Sequence, residues 1–176
     1  MEQTTFEGWK PYFRSTRPRP KREDKEIKHQ VASELCRRLI KRVSDLSLEN
    51  FEEMCEDVEE ATSFETSGYK IARELESLGW EVDDEIVDVV REAPYLQTEL
   101  WREEVKKWVV EAQAEPTFEV GATVKFLRHG KECVGEIVKI ERESGEYVVR
   151  CESLGHVSSG SGVRGSIVPY EDCSPL

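Results

Sequence analysis

Residues 100–127 read LWREEVKKWVVEAQAEPTFEVGATVKFL, and the periodicity of the chain changes within this stretch. Before Pro116 the apolar residues recur every three or four positions, which is the spacing of one face of an α-helix. After Pro116 apolar and polar residues alternate in short runs, which indicates half-buried β-strands. The sequence therefore predicts an α+β protein with a helical domain over residues 23–115 and a β-domain over residues 117–176.

Five amphipathic helices are predicted in the helical domain. In the first, which begins near Asp24, one apolar stripe repeats at four-residue intervals. Ser47 and Asp83 are suited to cap the second and fourth helices, and Gly79 is suited to follow the end of the third. Pro94 is predicted to end the fourth helix, because the residue before a proline avoids the helical conformation. The short connections predict a compact bundle.

Four short strands are predicted in the β-domain. Ser144-Gly145 fits a tight hairpin turn between the second and third strands. The composition of LGHVSSGSGVRG, residues 154–165, predicts a loop before the fourth strand. The predicted strands cover residues 122–127, 133–142, 147–152 and 166–170.

The β-domain resembles a small SH3-like barrel of the KOW or Tudor type. The resemblance rests on four short motifs, GATVKF, GEIVKI, GEYVVR and IVPYED, which begin at Gly121, Gly135, Gly145 and Ile167. It implies a binding role and names no ligand, because proteins of these families bind nucleic acids, peptides, methylated side chains or other subunits. A Tudor-type aromatic cage needs converging rings. Phe126, Tyr147 and Tyr170 are its candidates by type, and packing in the core is the alternative.

Length and cysteine content predict where the protein resides. The 176 residues contain no apolar run near the ~20 residues that span a bilayer. The first ten residues, MEQTTFEGWK, lack the basic start and apolar stretch of a signal peptide. Five cysteines, an odd number without a close pair, suit free thiols in a reducing compartment. We therefore predict a cytoplasmic protein that does not bind membranes.

The net charge of −12 is distributed unevenly along the chain. Residues 1–45 contain twelve basic and seven acidic side chains, a balance of +5. Residues 46–116 contain six basic and twenty-one acidic side chains, a balance of −15. The balance of residues 117–176 is −2, from seven basic and nine acidic side chains. This uneven distribution of charge is informative about binding partners, because complementary charge steers association.

The acidic helical bundle is predicted to bind a protein with a basic surface. One face of the second helix is almost wholly acidic, and such a face can imitate the charge of a nucleic acid backbone. The sequence therefore predicts a non-enzymatic adaptor or inhibitor, a nucleic acid mimic that acts on a nucleic-acid-handling or defence complex. The predicted partner-binding residues are Glu49, Glu52, Glu53, Glu56, Asp57, Glu59 and Glu60.

Direct binding of nucleic acid is the alternative function, with the basic arm and the β-barrel as its interface. Residues 1–22 are predicted to form a flexible arm, because Pro18 and Pro20 prevent a helix. Aromatic rings can stack on bases while arginines pair with phosphates. The arm could equally fold back on the acidic helices of its own chain or of another copy. The candidate nucleic-acid-binding residues are Trp9, Tyr12, Arg14, Arg17, Arg19, Lys21 and Arg22.

No catalytic residue, cofactor or metal site is predicted. His129, Cys133, Cys151 and His156 could form a tetrahedral zinc site, but cysteines within strands are commonly small core residues. The glycine-rich loop 158–165 lacks the GK[ST] ending of a P-loop. Acidic residues at 83–88 lack the EF-hand pattern and suit a helix start. An enzyme with an unfamiliar site ranks behind both binding functions.

Overall fold

The computed structural model describes residues 17–43, 46, 48–62, 67–151 and 165–176. Two compact units divide the chain. One is Arg19–Val105 and contains most of the helices. The other contains Lys106–Leu176, with Arg17 and Pro18 as its described residues at the N-terminus. Helices and an antiparallel sheet occupy separate stretches of the chain, which confirms the predicted α+β class.

Five α-helices form in the described residues, and the last one crosses the boundary between the units. No helix of the described part is long and apolar enough to cross a membrane. A 3-10 turn over Leu48–Asn50 precedes the second helix. The helices are α1 (Lys25–Arg42), α2 (Phe51–Ala61), α3 (Gly68–Ser77), α4 (Asp84–Val90) and α5 (Ala93–Ala112).

The helical unit has one apolar core. Burying this apolar area supplies the main favourable free energy of folding. The stripe of α1 is buried at Ile27, Val31, Leu35 and Leu39, as its periodicity predicted, whereas Val43, its last predicted member, follows the helix end and is only partly buried. Helices α2 to α4 each add one apolar face. The fully buried residues of this core include Val31, Leu35, Leu39, Val58, Ile71, Leu75 and Val89.

The observed helix ends confirm the signals predicted at Asp83 and Gly79 and contradict the one predicted at Pro94. The Asp83 side chain accepts a hydrogen bond from the Ile86 backbone N–H at 2.9 Å, so Asp83 caps α4. Gly79 follows α3 with a φ of 96°, a conformation that glycine adopts readily. The prediction for Pro94 is wrong, because α4 ends at Val90 and Pro94 lies in the first turn of α5. A proline is tolerated there, since the first-turn N–H groups have no helical acceptor.

Gly68 allows the start of α3 to approach Arg91 closely. A Cβ atom at this position would lie 2.5 Å from Arg91 Cα and 2.8 Å from Arg91 N. We expect Gly68→Ala to lower the free energy of unfolding by about 1–3 kcal/mol, the usual cost of overpacking. A loss of stability would indicate this close contact, because alanine normally stabilises a helix relative to glycine. Urea denaturation should show this loss, whereas Glu74→Ala, at an exposed site of the same helix, should not.

The β-domain is a curled five-stranded antiparallel sheet, a half-barrel, with strand order β4-β3-β2-β1-β5. The four predicted strands form with small shifts at their ends. A short fifth strand, absent from the prediction, follows a 3-10 turn over Tyr170–Asp172 and pairs with β1. The strands are β1 (Thr123–Arg128), β2 (Lys131–Glu141), β3 (Glu146–Arg150), β4 (Ser166–Pro169) and β5 (Cys173–Pro175).

Two turns connect the central strands. His129 and Gly130 have φ values of 50° and 74° and form a two-residue connection between β1 and β2. Two consecutive residues with positive φ define the hairpin turn that matches the twist of the strands. The connection from β2 to β3 contains Ser144 and Gly145, as predicted, but it is four residues long. Both turns therefore join neighbouring antiparallel strands.

Candidate functional site

The second helix carries the acidic face that the sequence predicted. Its apolar residues, among them Met54, Cys55 and Val58, are buried. Because helix positions three or four apart share a face, the intervening carboxylates point away from the core. Five of the seven predicted partner-binding residues are exposed: Glu49, Glu52, Glu53, Glu56 and Glu60.

Asp57 and Glu59 are instead engaged within the helical unit. The indole N–H of Trp80 donates to Asp57 Oδ2 at 2.8 Å. Glu59 Oε2 lies 3.2 Å from His29 Nδ1 on α1. Both residues are only partly exposed. The structure therefore divides the predicted set into five outward carboxylates and two that help to hold the helices together.

A concavity of about 720 Å³ lies where the acidic face meets the 3-10 turn. Its apolar lining is Leu48, which is 72% exposed, and the partly buried Phe51. Its charged lining is Glu49, Glu52, Glu53 and Glu56. This surface therefore offers apolar contact next to negative charge.

The predicted basic arm is described from Arg17 onward, so Trp9, Tyr12 and Arg14 lie outside the described residues. Arg17 lies 3.9 Å from Glu111, and both side chains are more than half exposed, so this ion pair adds little stability. The Arg22 guanidinium lies 4.6 Å from the centroid of the Trp101 ring, within the range of cation–π attraction. Arg19 is half-buried and Lys21 is exposed.

Backbone contacts of the arm are the feature that the sequence reasoning missed. In the helical unit, Trp101 Nε1 donates to the Pro20 carbonyl and Gln97 Nε2 donates to the Arg22 carbonyl, each at 3.0 Å. In the other unit, Trp108 Nε1 donates to the Arg17 carbonyl at 2.9 Å. A main-chain carbonyl leaves no trace in the residue sequence, so charge and composition could not reveal these acceptors.

The three aromatic residues considered for a Tudor-type cage are core residues. Phe126, Tyr147 and Tyr170 are each at most 1% exposed. The rings of Tyr147 and Tyr170 lie 4.5 Å apart, and the Tyr147 hydroxyl accepts from the Phe118 N–H at 3.0 Å. All three rings are packed in the core of the β-domain, and the Tyr147 hydroxyl is hydrogen-bonded there. They do not form an open cage.

The described members of the candidate zinc set have separate structural roles. His129 occupies the hairpin turn between β1 and β2, Cys133 is buried in β2, and Cys151, predicted to lie within a strand, is buried just after the end of β3. His156 lies outside the described residues, as does most of the glycine-rich loop 158–165. Within the part of the chain that is described, no three His, Cys, Asp or Glu side chains are grouped to hold a metal ion.

We therefore expect a strong chelator to leave the thermal unfolding transition unchanged. Zinc bound by cysteines in a structural site contributes directly to folding stability, so its removal would lower the Tm. The measurement is a pair of melting curves with and without the chelator. Elemental analysis that found one zinc ion per chain would contradict this expectation and restore His129, Cys133, Cys151 and His156 as ligands.

The described thiols are placed as core residues, and all five are free and buried. Burial raises the pKa of Cys173 to about 12, with Asp172 and Glu171 adding to the shift. Burial also raises the pKa of Cys36, and a hydrogen bond with Cys55 adds to it. Since the thiolate is the reactive form of cysteine, Cys36 and Cys173 are held in their unreactive form at neutral pH.

Comparison with known proteins adds no family and no relative. No protein-family model, no curated protein and no solved structure matches the chain.

Proposed function

We propose that this protein is a non-enzymatic adaptor or inhibitor that engages a basic surface of a partner protein through the exposed acidic face of α2. The observation that carries the proposal is that four carboxylates of this face lack a cationic partner among the described residues. Glu52, Glu53, Glu56 and Glu60 make no ion pair with any other described residue. Some acidic residues elsewhere in the same unit are paired, as Glu92 is with Arg38 and Arg42.

Unpaired carboxylates at these positions carry an energetic cost. Like charges four residues apart on a helix destabilise it by about 0.2–0.5 kcal/mol per pair. Glu52 with Glu56 and Glu56 with Glu60 are two such pairs. Glu60 also lies in the last turn of α2, where the helix dipole disfavours negative charge. A basic partner would relieve this repulsion, which gives the face a physical reason to bind one.

The β-domain supports a binding role through its architecture. Its last strand pairs with its first, and a 3-10 turn precedes that strand. This arrangement favours the SH3-like barrel predicted from its sequence motifs, and small barrels of this kind serve as binding modules. The proposal retains the predicted cytoplasmic location. The proposed partner of the acidic face is a nucleic-acid-handling or defence complex whose basic surface normally contacts nucleic acid.

Direct nucleic-acid binding is the second candidate. One observation favours it: the side chains of Arg17, Lys21 and Arg22 stay exposed although the backbone of this segment is held by α5. Cations on a fixed backbone lose little entropy when they contact phosphates. The β-barrel would supply the remainder of that interface.

Two capture experiments, carried out in parallel, distinguish the two candidate functions. We expect the immobilised protein to retain a specific partner from native lysate at low salt, identified by mass spectrometry. We also expect it to pass through DNA-cellulose unretained. A variant with Glu52, Glu53, Glu56 and Glu60 changed to lysine should lose the protein partner. Retention on DNA-cellulose, abolished by changing Arg17, Lys21 and Arg22 to alanine, would instead support the second candidate.

A further inference from the structure

A short segment, Arg19–Arg22, lies along α5 in the helical unit and ends in a turn, in which the Asp24 N–H donates to the Lys21 carbonyl at 3.1 Å. Its contacts are made by donors from the helix to carbonyls of the segment. Trp101 Nε1 donates to the Pro20 carbonyl at 3.0 Å, and Gln97 Nε2 donates to the Arg22 carbonyl at 3.0 Å. Pro20 is buried, and the Arg22 guanidinium lies over the Trp101 ring at 4.6 Å.

Two donors on one turn of α5 meet two acceptors in the segment. Gln97 and Trp101 are four residues apart on α5, which places them about 6 Å apart along the helix axis. Their acceptors, the carbonyls of Pro20 and Arg22, are two residues apart, and Arg22 lies in the turn that Lys21 and Asp24 close. The segment runs antiparallel to the helix.

The chemistry of the pair selects a particular kind of ligand. Gln97 is only 4% exposed with the segment in place, so its side-chain N–H needs a hydrogen-bond acceptor from the segment. Proline supplies a carbonyl, lacks an N–H and has a fixed φ, so the segment loses less conformational entropy when it binds. An arginine two residues later can stack on the indole, which contributes about 0.5–1 kcal/mol. The preferred ligand therefore contains Pro-Xaa-Arg.

We propose that the Gln97–Trp101 face of α5 is a recognition site for a Pro-Xaa-Arg segment whose arginine begins a turn, and that residues 20–22 occupy it as a tethered ligand. A proline- and arginine-containing peptide of another molecule is the partner that this face fits. A tethered segment acts at an effective concentration on the order of millimolar. A free peptide therefore binds weakly to the intact chain and more tightly once the tethered ligand is impaired.

The test uses the full-length protein and a blocked, labelled peptide of residues 17–24, RPRPKRED. The impaired variant combines Pro20→Gly with Arg22→Ala. Fluorescence anisotropy should show at least tenfold tighter peptide binding to this variant than to the wild type. Adding Trp101→Phe, which keeps an aromatic ring but removes the indole N–H and reduces the face for arginine stacking, should weaken peptide binding about five- to tenfold, mainly because one hydrogen bond is lost. Tyr95→Phe, an aromatic change at an exposed site of α5, should leave it unchanged.

A scrambled peptide of the same composition distinguishes this site from the acidic face of α2. It should not discriminate between the wild type and the impaired variant. The proposal is overturned if RPRPKRED binds both chains equally, or if Trp101→Phe has no effect on its binding. Either result would leave the proposed role of the acidic face standing, because that face is unchanged in every variant.

Limited trypsin digestion gives a second measurement that needs no peptide. Cleavage after Lys21 requires the segment to leave α5. We expect Trp101→Phe in the otherwise native chain to be cleaved at this bond several-fold faster than the wild type. Equal cleavage rates in the two folded proteins would show that the indole contact does not hold the segment, and would contradict the proposal.

Discussion

Removal of residues 1–22 is expected to lower the Tm by about 10 °C, whereas removal of residues 1–16 alone leaves the docked segment in place. The longer deletion takes away the carbonyl acceptors of Gln97, Trp101 and Trp108. A buried donor left without a partner costs about 1–3 kcal/mol. Water can reach the partly exposed Trp101, so we take about 3 kcal/mol for the three together, and each kcal/mol shifts the Tm by about 2–4 °C in a chain of this size.

The shorter deletion is the matched control, because it retains Arg17–Arg22 and removes only residues that precede the contacts. Differential scanning calorimetry of the two truncated proteins and the full chain provides the comparison. Equal melting temperatures for all three would mean that the contacts of the segment with α5 contribute no net stability. That result would agree with the expectation from composition, since three prolines among the first 22 residues and few apolar side chains predict a dispensable arm.

Periodicity predicted most of the fold, because a helix or strand that packs against a core must place its apolar residues on one face at a fixed spacing. The stripe of α1 and the cap at Asp83 depend on residues within one or two turns, so spacing alone reveals them. The fifth strand could not be found in this way. Its three residues, Cys173–Pro175, are too short to alternate, and their extended conformation depends on pairing with β1.

The acidic face was predictable for the same reason, and its two exceptions show the limit. Helical spacing places all seven carboxylates near one another, but it does not reveal which of them meet a partner distant in sequence. Trp80 is 23 residues from Asp57, and His29 is 30 residues from Glu59. Such contacts depend on how the helices pack, which a single periodic pattern does not encode.

Charge reversal on α2 is expected to have the largest effect on function. Changing Glu52, Glu53, Glu56 and Glu60 to lysine replaces an attractive field with a repulsive one for a basic partner. Steering by complementary charge changes association rates by about 10- to 1,000-fold and has much less effect on dissociation. The association rate should therefore fall at least tenfold. Folding should be nearly unaffected, because all four side chains are exposed.

Salt dependence provides an independent sign of the same effect. Charges are screened beyond about 8 Å at physiological ionic strength. The association rate of the wild type should therefore fall steeply as salt is added, whereas that of the reversed variant should stay flat or rise. A control variant changes Glu74, Glu81, Glu99 and Glu103, four exposed acids outside α2, to lysine. It carries the same net charge and differs only in where the charge lies.

The association rate constant of the partner captured from lysate, measured by stopped flow at low salt, tests the central claim most directly. The proposal predicts at least a tenfold loss for the α2 variant and about threefold or less for the control, since local complementarity outweighs net charge near the interface. Equal rate constants for the wild type and the α2 variant would contradict it. The acidic face would then serve only to keep the protein in solution.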